Sequence, residues 1–302
     1  MDPGHLGTAF HGGGHYENFP VASWLLPAEM RGALLALYRF ARTGDDLADE
    51  GNLDPEVRQA GLNALRAGLR GHNTQSVKPA EYHQIGSALR LELLARQLDT
   101  LQAEKLLDAF KMDVLHQPYS TISDLMIYCR HSADPVGRIM LATAKIIDDP
   151  NAHCPITAAS DAICSGLQLV NFAQDMGQDC SRQRIYAPRQ WWPAGWLPAA
   201  GTQALPDQVK HQWATQMAQL GQDHIVRGAE LVSKIRRSAR GPRIRLGLEI
   251  AMVIEGGLAI SRKVLANPLT VWRRSPILSR TDLAMIVLQA MMTFIRPCRH
   301  ST

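Results

Sequence analysis

The sequence predicts an all-α protein, a large helical bundle, and three observations lead to this prediction. Apolar residues recur at steps of three and four along almost the whole chain, and alternating β-branched runs are nearly absent. The composition is rich in Ala, Leu, Arg and Gln, which are good helix formers. The gaps between the periodic segments are short, and no linker rich in Ser, Pro or Gly divides the chain. We therefore expect one helical domain over residues 1–302.

Start signals and periodicity together place nine helices. Asp54 followed by Pro55 is typical of an N-cap and a first helical residue, and Ser123-Asp124 and Thr281-Asp282 precede apolar runs in the same way. The predicted helices span 28–48, 54–70, 79–97, 101–116, 122–148, 156–180, 206–239, 243–265 and 280–296. The longest predicted loop, Tyr186 to Ala200, carries three tryptophans. Two interpretations of it stay open: a packed surface loop, or an aromatic rim at a membrane interface.

The composition excludes several classes of protein. The net charge is only +4, and no Lys/Arg run with interleaved aromatic residues indicates a nucleic-acid partner. The five cysteines are odd in number and contain no C-x-x-C motif, which indicates free thiols in a reducing compartment. The N-terminus does not look like a signal peptide, and the apolar stretch from Leu283 to Ile295 is too short to span a bilayer. We expect a cytoplasmic protein, either free or peripheral on the inner membrane face. The Arg-rich segments 236–245 and 273–274 are either solvated helix ends or contacts to anionic lipid.

The first candidate site is an acidic cluster at the end of the first predicted helix. Asp45 and Asp49 are four residues apart, so their Cβ atoms would lie about 5–6 Å from each other on one helical face. Like charges at this spacing destabilise an isolated helix, and a bound Mg²⁺ would offset that repulsion. Asp46 and Glu50 have the same spacing, so spacing alone does not choose the pair. A solvated acidic helix end would also explain the cluster.

The second candidate site lies about 130 residues later. Gln168, Asn171, Asp175 and Asp179 step by three, four and four along one face of a predicted apolar helix. Burying four oxygen-bearing side chains there is costly unless a ligand satisfies them. Two such acidic helices could face each other and hold Mg²⁺ between them, with Arg42 before the first motif and Arg184 after the second neutralising a diphosphate.

Three stretches of the sequence resemble the squalene/phytoene synthase family of trans-isoprenyl diphosphate synthases. They are residues 15–27 (HYENFPVASWLLP), 38–49 (YRFARTGDDLAD) and 168–184 (QLVNFAQDMGQDCSRQR). The resemblance covers nearly the whole chain and implies an isoprenoid-synthase helical bundle with a central cavity. In the family an Arg stands three residues before the first Asp, which selects Asp45 and Asp49.

The resemblance also implies roles for individual residues. The implied Mg²⁺ ligands are Asp45, Asp49, Asn171, Asp175 and Asp179. The implied substrate-binding residues, on the diphosphate or along the cavity, are His15, Phe19, Arg42, Gln168, Asn171 and Arg184. The residues expected to act in catalysis are Tyr38, Tyr128, Arg42 and Arg184. A carbocation formed in the cavity needs aromatic faces, and Tyr38, Phe40, Phe19, Tyr128 and Phe172 are available.

Within the family, residues 17–23 and 128–137 most resemble the hydroxysqualene synthases of the bacterial hopanoid pathway. This implies Mg²⁺-dependent ionisation of presqualene diphosphate, rearrangement of the cation and capture by water to give hydroxysqualene and diphosphate. Most relatives carry a Val-Ala-Gly type of stretch after Tyr128, whereas this chain has His131-Ser-Ala-Asp134-Pro135. Such a polar insert suits a site that must deliver water, with His131 as a candidate pocket residue.

Other functions remain open at this stage. A condensing enzyme would join two farnesyl diphosphates into presqualene diphosphate, and a phytoene or dehydrosqualene synthase would make another product. A non-catalytic helical scaffold is the alternative from a different class, although a scaffold has no use for four aligned oxygen-bearing side chains. The expected partners are a prenyl diphosphate substrate and the neighbouring enzymes of the pathway, with no nucleic acid.

Overall fold

The structure is a computed structural model that describes residues 27–49, 53–72, 79–238 and 244–295. Over this part of the chain it contains helices and no strands, so the all-α prediction is confirmed. The helices are α1 (Ala28–Asp49), α2 (Pro55–Arg70), α3 (Ala80–Leu94), α4 (Leu101–Val114), α5 (Ile122–Ser132), α6 (Asp134–Thr143), α7 (Pro155–Gln174), α8 (Met176–Ser181), α9 (Asp207–Gly228), α10 (Glu230–Ser238), α11 (Ile244–Ala266) and α12 (Arg280–Ile295).

Three of the predicted helices were wrong, because the structure divides each of them into two helices. The segment predicted at 122–148 breaks at Ala133, where Pro135 enters the next turn without an N–H to donate and with a ring that crowds the preceding carbonyl. The segment at 156–180 breaks at Asp175, whose backbone has φ −102° and ψ 12°. The segment at 206–239 breaks at Ala229, directly after Gly228, a weak helix former.

Helix α7 runs through the middle of the bundle and contacts α5, α6, α9, α10 and α11. Its closest neighbour is α9, because glycines on both helices allow the backbones to approach. A Cβ placed on Gly221 would lie 2.8 Å from the carbonyl oxygen of Gly166, and a Cβ on Gly166 would lie 2.8 Å from the carbonyl oxygen of Gly221. This crossing fixes the position of the polar residues at the C-terminal half of α7.

One continuous apolar core fills the space between the helices, and Phe40 and Trp213 are fully buried in it. The tryptophan loop packs against this core. The rings of Trp192 and Trp196 meet edge to face at 5.0 Å, those of Trp196 and Trp213 at 5.6 Å, and the indole N–H of Trp213 donates to the carbonyl of Trp191. The packed-loop interpretation is therefore supported, and the membrane-rim interpretation is not.

Candidate active site

Two adjoining cavities occupy the centre of the bundle. The first has a volume of about 340 Å³ and is lined mainly by apolar side chains, most of them from α1, α6, α7, α10 and α11. The second has a volume of about 550 Å³ and is lined by charged and polar side chains near the ends of α1 and α7. Six residues line both cavities: Tyr38, Ala41, Ser132, Val136, Gln168 and Asn171. The two spaces thus share a wall, with one polar and one apolar end.

Three acidic residues of the two sequence motifs line this polar cavity. Asp45 of α1 is one lining residue, and Asp175 and Asp179 of the second motif are two others. The four positions 168, 171, 175 and 179 all line the polar cavity, although the helix that carries them breaks at Asp175. Asp49 is the last residue of α1, and its side chain lies outside the described residues. The structure thus brings Asp45, Asp175 and Asp179 to one cavity, as the two motifs predict for these three aspartates.

Both predicted arginines line the polar cavity, and one of them joins the two motifs. Arg42 pairs with Asp46 at 2.7 Å and with Asp45 at 3.7 Å, and it lines the polar cavity. Arg184 lines the same cavity, and its Nη2 donates to the carbonyl of Ala48 at 3.1 Å. The end of the second motif is thereby joined to the end of the first across 136 positions of the chain. Arg182 also lines the cavity; sequence reasoning missed it, although it lies two residues before Arg184.

The side chains around the polar cavity fit a hard cation that arrives with a diphosphate. Asp45, Asp175 and Asp179 offer carboxylate oxygens, the ligands that Mg²⁺ prefers. In the part of the chain that the structure describes, no three His, Cys, Asp or Glu side chains lie close enough together to hold a metal ion by themselves. Mg²⁺ is commonly held by one or two carboxylates together with substrate phosphates, so carboxylates from α1 and from the α7–α8 segment around one cavity suit such a site. Asp175 also accepts a hydrogen bond from Ser275.

Aromatic rings form one side of the polar cavity. The rings of Phe172 and Tyr186 are stacked at 3.8 Å, and Tyr128 lies 6.1 Å from Phe172. The hydroxyl of Tyr128 donates to Asp113 at 2.8 Å. Burial and the nearby Asp113 carboxylate raise the pKa of Tyr128 well above its ordinary value, so its hydroxyl stays protonated. Sequence reasoning missed Asp113 and Tyr186, which lie outside the two motifs.

Four of the other predicted residues are either outside the described residues or away from both cavities. His15 and Phe19 lie outside the described residues. Phe40 was wrong as a cavity residue, because it is fully buried in the core and lines neither cavity. His131 was also wrong, since its Nδ1 bonds the carbonyl of Ile127 within its own helix and the residue lines neither cavity.

The residues of the polar insert after Tyr128 have different positions: one lines the cavities, and another is buried away from them. Ser132 lines both cavities, and its Oγ is shielded from solvent without a hydrogen-bond partner. Asp134 is buried behind the wall and accepts a hydrogen bond from Ser165 at 2.7 Å. Burial, followed by the nearby Asp161 carboxylate, raises the pKa of Asp134 to about 7. Ser132 is thus the residue of the insert that is placed to act on a bound molecule.

A bundle with acidic and basic groups from two distant motifs at the polar end of an apolar hollow is typical of enzymes that act on prenyl diphosphates. The sequence model of the family described as Squalene/phytoene synthase matches residues 13–282. The chain belongs to this family. Within the described residues, no helix is long and apolar enough to cross a membrane.

Several of the similar proteins are named hydroxysqualene synthase. A hydroxysqualene synthase of Rhodopseudomonas palustris is 37% identical over 240 residues, which cover 78% of this chain and 75% of that protein. A hydroxysqualene synthase of Sinorhizobium fredii is 38% identical over 174 residues, and the match covers 57% of this chain and 55% of that protein.

Solved structures show the same fold. The squalene synthase HpnC of Alicyclobacillus acidocaldarius superposes with a TM-score of 0.66 at 28% identity, over 86% of this chain and 91% of that one. A dehydrosqualene synthase superposes with a TM-score of 0.60 at 17% identity, over 89% of this chain and 88% of that one. The predicted isoprenoid-synthase bundle is confirmed.

Proposed function

We propose that this chain is a hydroxysqualene synthase, acting as a single domain over residues 1–302 in the cytoplasm. Its substrate would be presqualene diphosphate, and its products hydroxysqualene and diphosphate. One observation carries the proposal: a polar cavity that takes carboxylates and arginines from α1 and from the α7–α8 segment shares a wall with an apolar cavity. The names of the relatives at 37% and 38% identity supply the particular reaction.

The polar cavity would bind the diphosphate. Arg42, Arg182 and Arg184 line it and can donate to phosphate oxygens in bidentate fashion. Asp45, Asp49, Asn171, Asp175 and Asp179 would hold Mg²⁺, which supplies Lewis-acid stabilisation of the leaving diphosphate. When the C–O bond breaks, its electron pair leaves with the diphosphate. The three arginines stabilise the negative charge that develops on the diphosphate.

The apolar cavity would hold the hydrocarbon chain and exclude bulk water. Leu34, Leu37, Met140, Ile163 and Leu167 are among its lining residues. The cation left by ionisation would lie where the two cavities meet, beside Tyr38 and near Phe172 and Tyr128. The faces of aromatic rings attract positive charge, so this position favours the cation during its rearrangement.

The shared wall is also where water would be held for capture. Ser132, Gln168 and Asn171 bring polar side chains to this wall, which otherwise consists of Tyr38, Ala41 and Val136. A water held there adds its oxygen to the rearranged cation and forms the C–OH bond. The proton that it loses passes to the departed diphosphate, so one water is consumed and one diphosphate is released for each substrate.

The test is incubation of the purified chain with presqualene diphosphate and Mg²⁺, followed by mass spectrometry of the products. We expect a C30 alcohol and stoichiometric diphosphate, with ¹⁸O from labelled water in the alcohol. A chain that released diphosphate from farnesyl diphosphate alone, and made presqualene diphosphate from it, would instead be the condensing enzyme. A hydrocarbon without oxygen would contradict the proposal of water capture.

A further inference from the structure

Helix α12 presents an apolar surface that the described fold leaves uncovered. Its buried residues, Ile286 and Ala290, lie one turn apart on the side that packs on α11. On the outer side, six large apolar side chains are between 41% and 69% exposed: Leu283, Met285, Leu288, Met291, Met292 and Ile295. We call these six residues the α12 face. Contiguous exposed apolar patches on soluble proteins commonly mark a binding surface.

The α12 face is also free of charge along its length. From Leu283 to Ile295 the sequence contains no Asp, Glu, Lys or Arg. The one acidic residue of α12, Asp282, pairs with Lys263 at 2.8 Å and caps the helix through Ser279. A water-exposed helix ordinarily carries charged residues on its outer side. The pattern of α12 therefore indicates a nonaqueous environment on that side.

Basic residues border the α12 face. Arg236 of α10 donates to the carbonyl of Ile295, and Arg262 of α11 donates to Gln289, each at 3.3 Å. Arg280 is the exposed first residue of α12. An apolar strip with arginines at its margins is complementary to a bilayer that contains anionic headgroups.

A second copy of the chain would fit this surface less well. In a two-fold symmetric dimer the same patch meets itself, so the arginines at the margins of one copy would approach those of the other. This like-charge contact would oppose association, whereas anionic lipid would favour binding. The charge border thus selects a lipid surface over self-association.

The face adjoins the cavities through the helices that lie beneath it. Helix α12 packs on α11 and α10, whose Ile250, Val253 and Leu231 line the apolar cavity from the inside. Ile277, just before α12, is exposed and lines the polar cavity. We propose that the chain docks through the α12 face on the surface of an anionic phospholipid bilayer, beside its substrate cavity. This docking does not depend on the proposed function. The further idea that docking lets the chain take up a C30 diphosphate from the lipid rests on that function.

Vesicle flotation tests the docking. We expect the full chain to float with phosphatidylcholine vesicles that contain phosphatidylglycerol, and to float less with phosphatidylcholine alone or at high salt. The double variant Leu288→Gln with Met292→Gln removes two exposed side chains and keeps good helix formers. Each buried side chain of this size is worth roughly tenfold in partitioning, so we expect the variant to lose at least tenfold in vesicle affinity.

A matched control uses α3, where Leu91 and Leu94 are also exposed. The variant Leu91→Gln with Leu94→Gln should bind vesicles like the parent, and both variants should keep the parent melting temperature. Equal binding by the α12 variant and the parent, or no binding of the parent to anionic vesicles, would overturn the proposal. So would sedimentation showing that the parent is a dimer that the α12 variant abolishes. Turnover of presqualene diphosphate in detergent tests the proposed function separately: absent turnover with intact vesicle binding would contradict only that function.

Discussion

At the residue scale, Asp175 can be tested for a role as a metal ligand against a purely structural role. It lines the polar cavity, and it also accepts a hydrogen bond from Ser275. The substitution Asp175→Asn keeps an oxygen acceptor for Ser275 and removes the negative charge that a cation needs. We expect diphosphate release from presqualene diphosphate to fall by about a hundredfold or more, since metal stabilisation of a leaving group is worth several kcal/mol.

The control for this prediction is Asp148→Asn, at an exposed position between α6 and α7 that lines neither cavity. Both variants should melt near the parent temperature, and the control should keep parent activity. If Asp175→Asn lowered the melting temperature strongly and activity only in proportion, Asp175 would have a structural role and the metal-ligand assignment would be contradicted.

Ser132 offers a test of water capture at the same scale. Its Oγ has no hydrogen bond to lose, so it can turn about χ1 toward the shared wall of the cavities at little cost. The variant Ser132→Val should release diphosphate at close to the parent rate, because the groups that bind the diphosphate are unchanged. The yield of C30 alcohol per diphosphate should fall about fivefold, which corresponds to about 1 kcal/mol, the net value of one hydrogen bond.

Mass spectrometry of the products measures this ratio directly. Ser132→Thr keeps the hydroxyl and should restore the alcohol, whereas Thr143→Val removes another buried, unpartnered hydroxyl that lines neither cavity and should leave the ratio unchanged. An unchanged alcohol yield in Ser132→Val would show that the water is held by other groups of the wall.

At the scale of the elements, the sequence predicted where helices occur better than where they break. The 3.6-residue pattern of apolar residues continues through Ala133, Asp175 and Ala229, so it gave no sign of three interruptions. Pro135 was a local signal for the first break. The break at Asp175 has a weaker signal, because Gly177 two residues later is a poor helix former but does not by itself end a helix.

The same limit applies to the site. The two motifs and their arginines could be found from spacing and resemblance because each lies within one short stretch. Asp113 of α4 and Tyr186 of the loop after α8 join the site only through tertiary packing. Ser132 and His131 are neighbours in sequence, but only the helix register decides that Ser132 lines the cavities and His131 does not.

The crossing of α7 and α9 supports a prediction about packing between elements. Gly221→Ala would place a Cβ 2.8 Å from the backbone oxygen of Gly166, which neither helix can relieve by moving a side chain. We expect a loss of about 1–3 kcal/mol in the free energy of unfolding. Activity should fall as well, because a displaced α7 moves Gln168 and Asn171.

The control is Gly256→Ala on α11, whose Cβ would meet no atom within 4 Å. This variant should instead stabilise the helix by about 0.5–1 kcal/mol. Chemical denaturation of both variants measures the contrast, and equal effects of the two substitutions would contradict the close-crossing argument.

At the scale of the whole molecule, polarity is arranged in layers from the cavity outward. The charged groups of α1 and the α7–α8 segment surround the polar cavity, apolar residues of α10 and α11 enclose the other end, and the α12 face lies outside them. Charge buried between these layers is expensive and must be neutralised or paired. Arg138 and Asp161 are paired at 2.6 Å close to Asp134.

The stability of the molecule should therefore depend on pH through Asp134. Burial and Asp161 raise its pKa from 3.8 to about 7, while Arg138, Arg130 and the bond from Ser165 act in the opposite direction. Below pH 4 the carboxyl is protonated in both folded and unfolded chains. Between pH 4 and 7 the unfolded chain loses this proton and the folded chain keeps it, so stability falls as pH rises, by about 4 kcal/mol in total.

Asp134→Asn keeps the acceptor for Ser165 and has no proton to lose. Its melting temperature should exceed that of the parent at pH 8 by several degrees and match it near pH 4, while Asp148→Asn should follow the parent at both. A difference between Asp134→Asn and the parent that does not change with pH would show that Asp134 is not the titrating group.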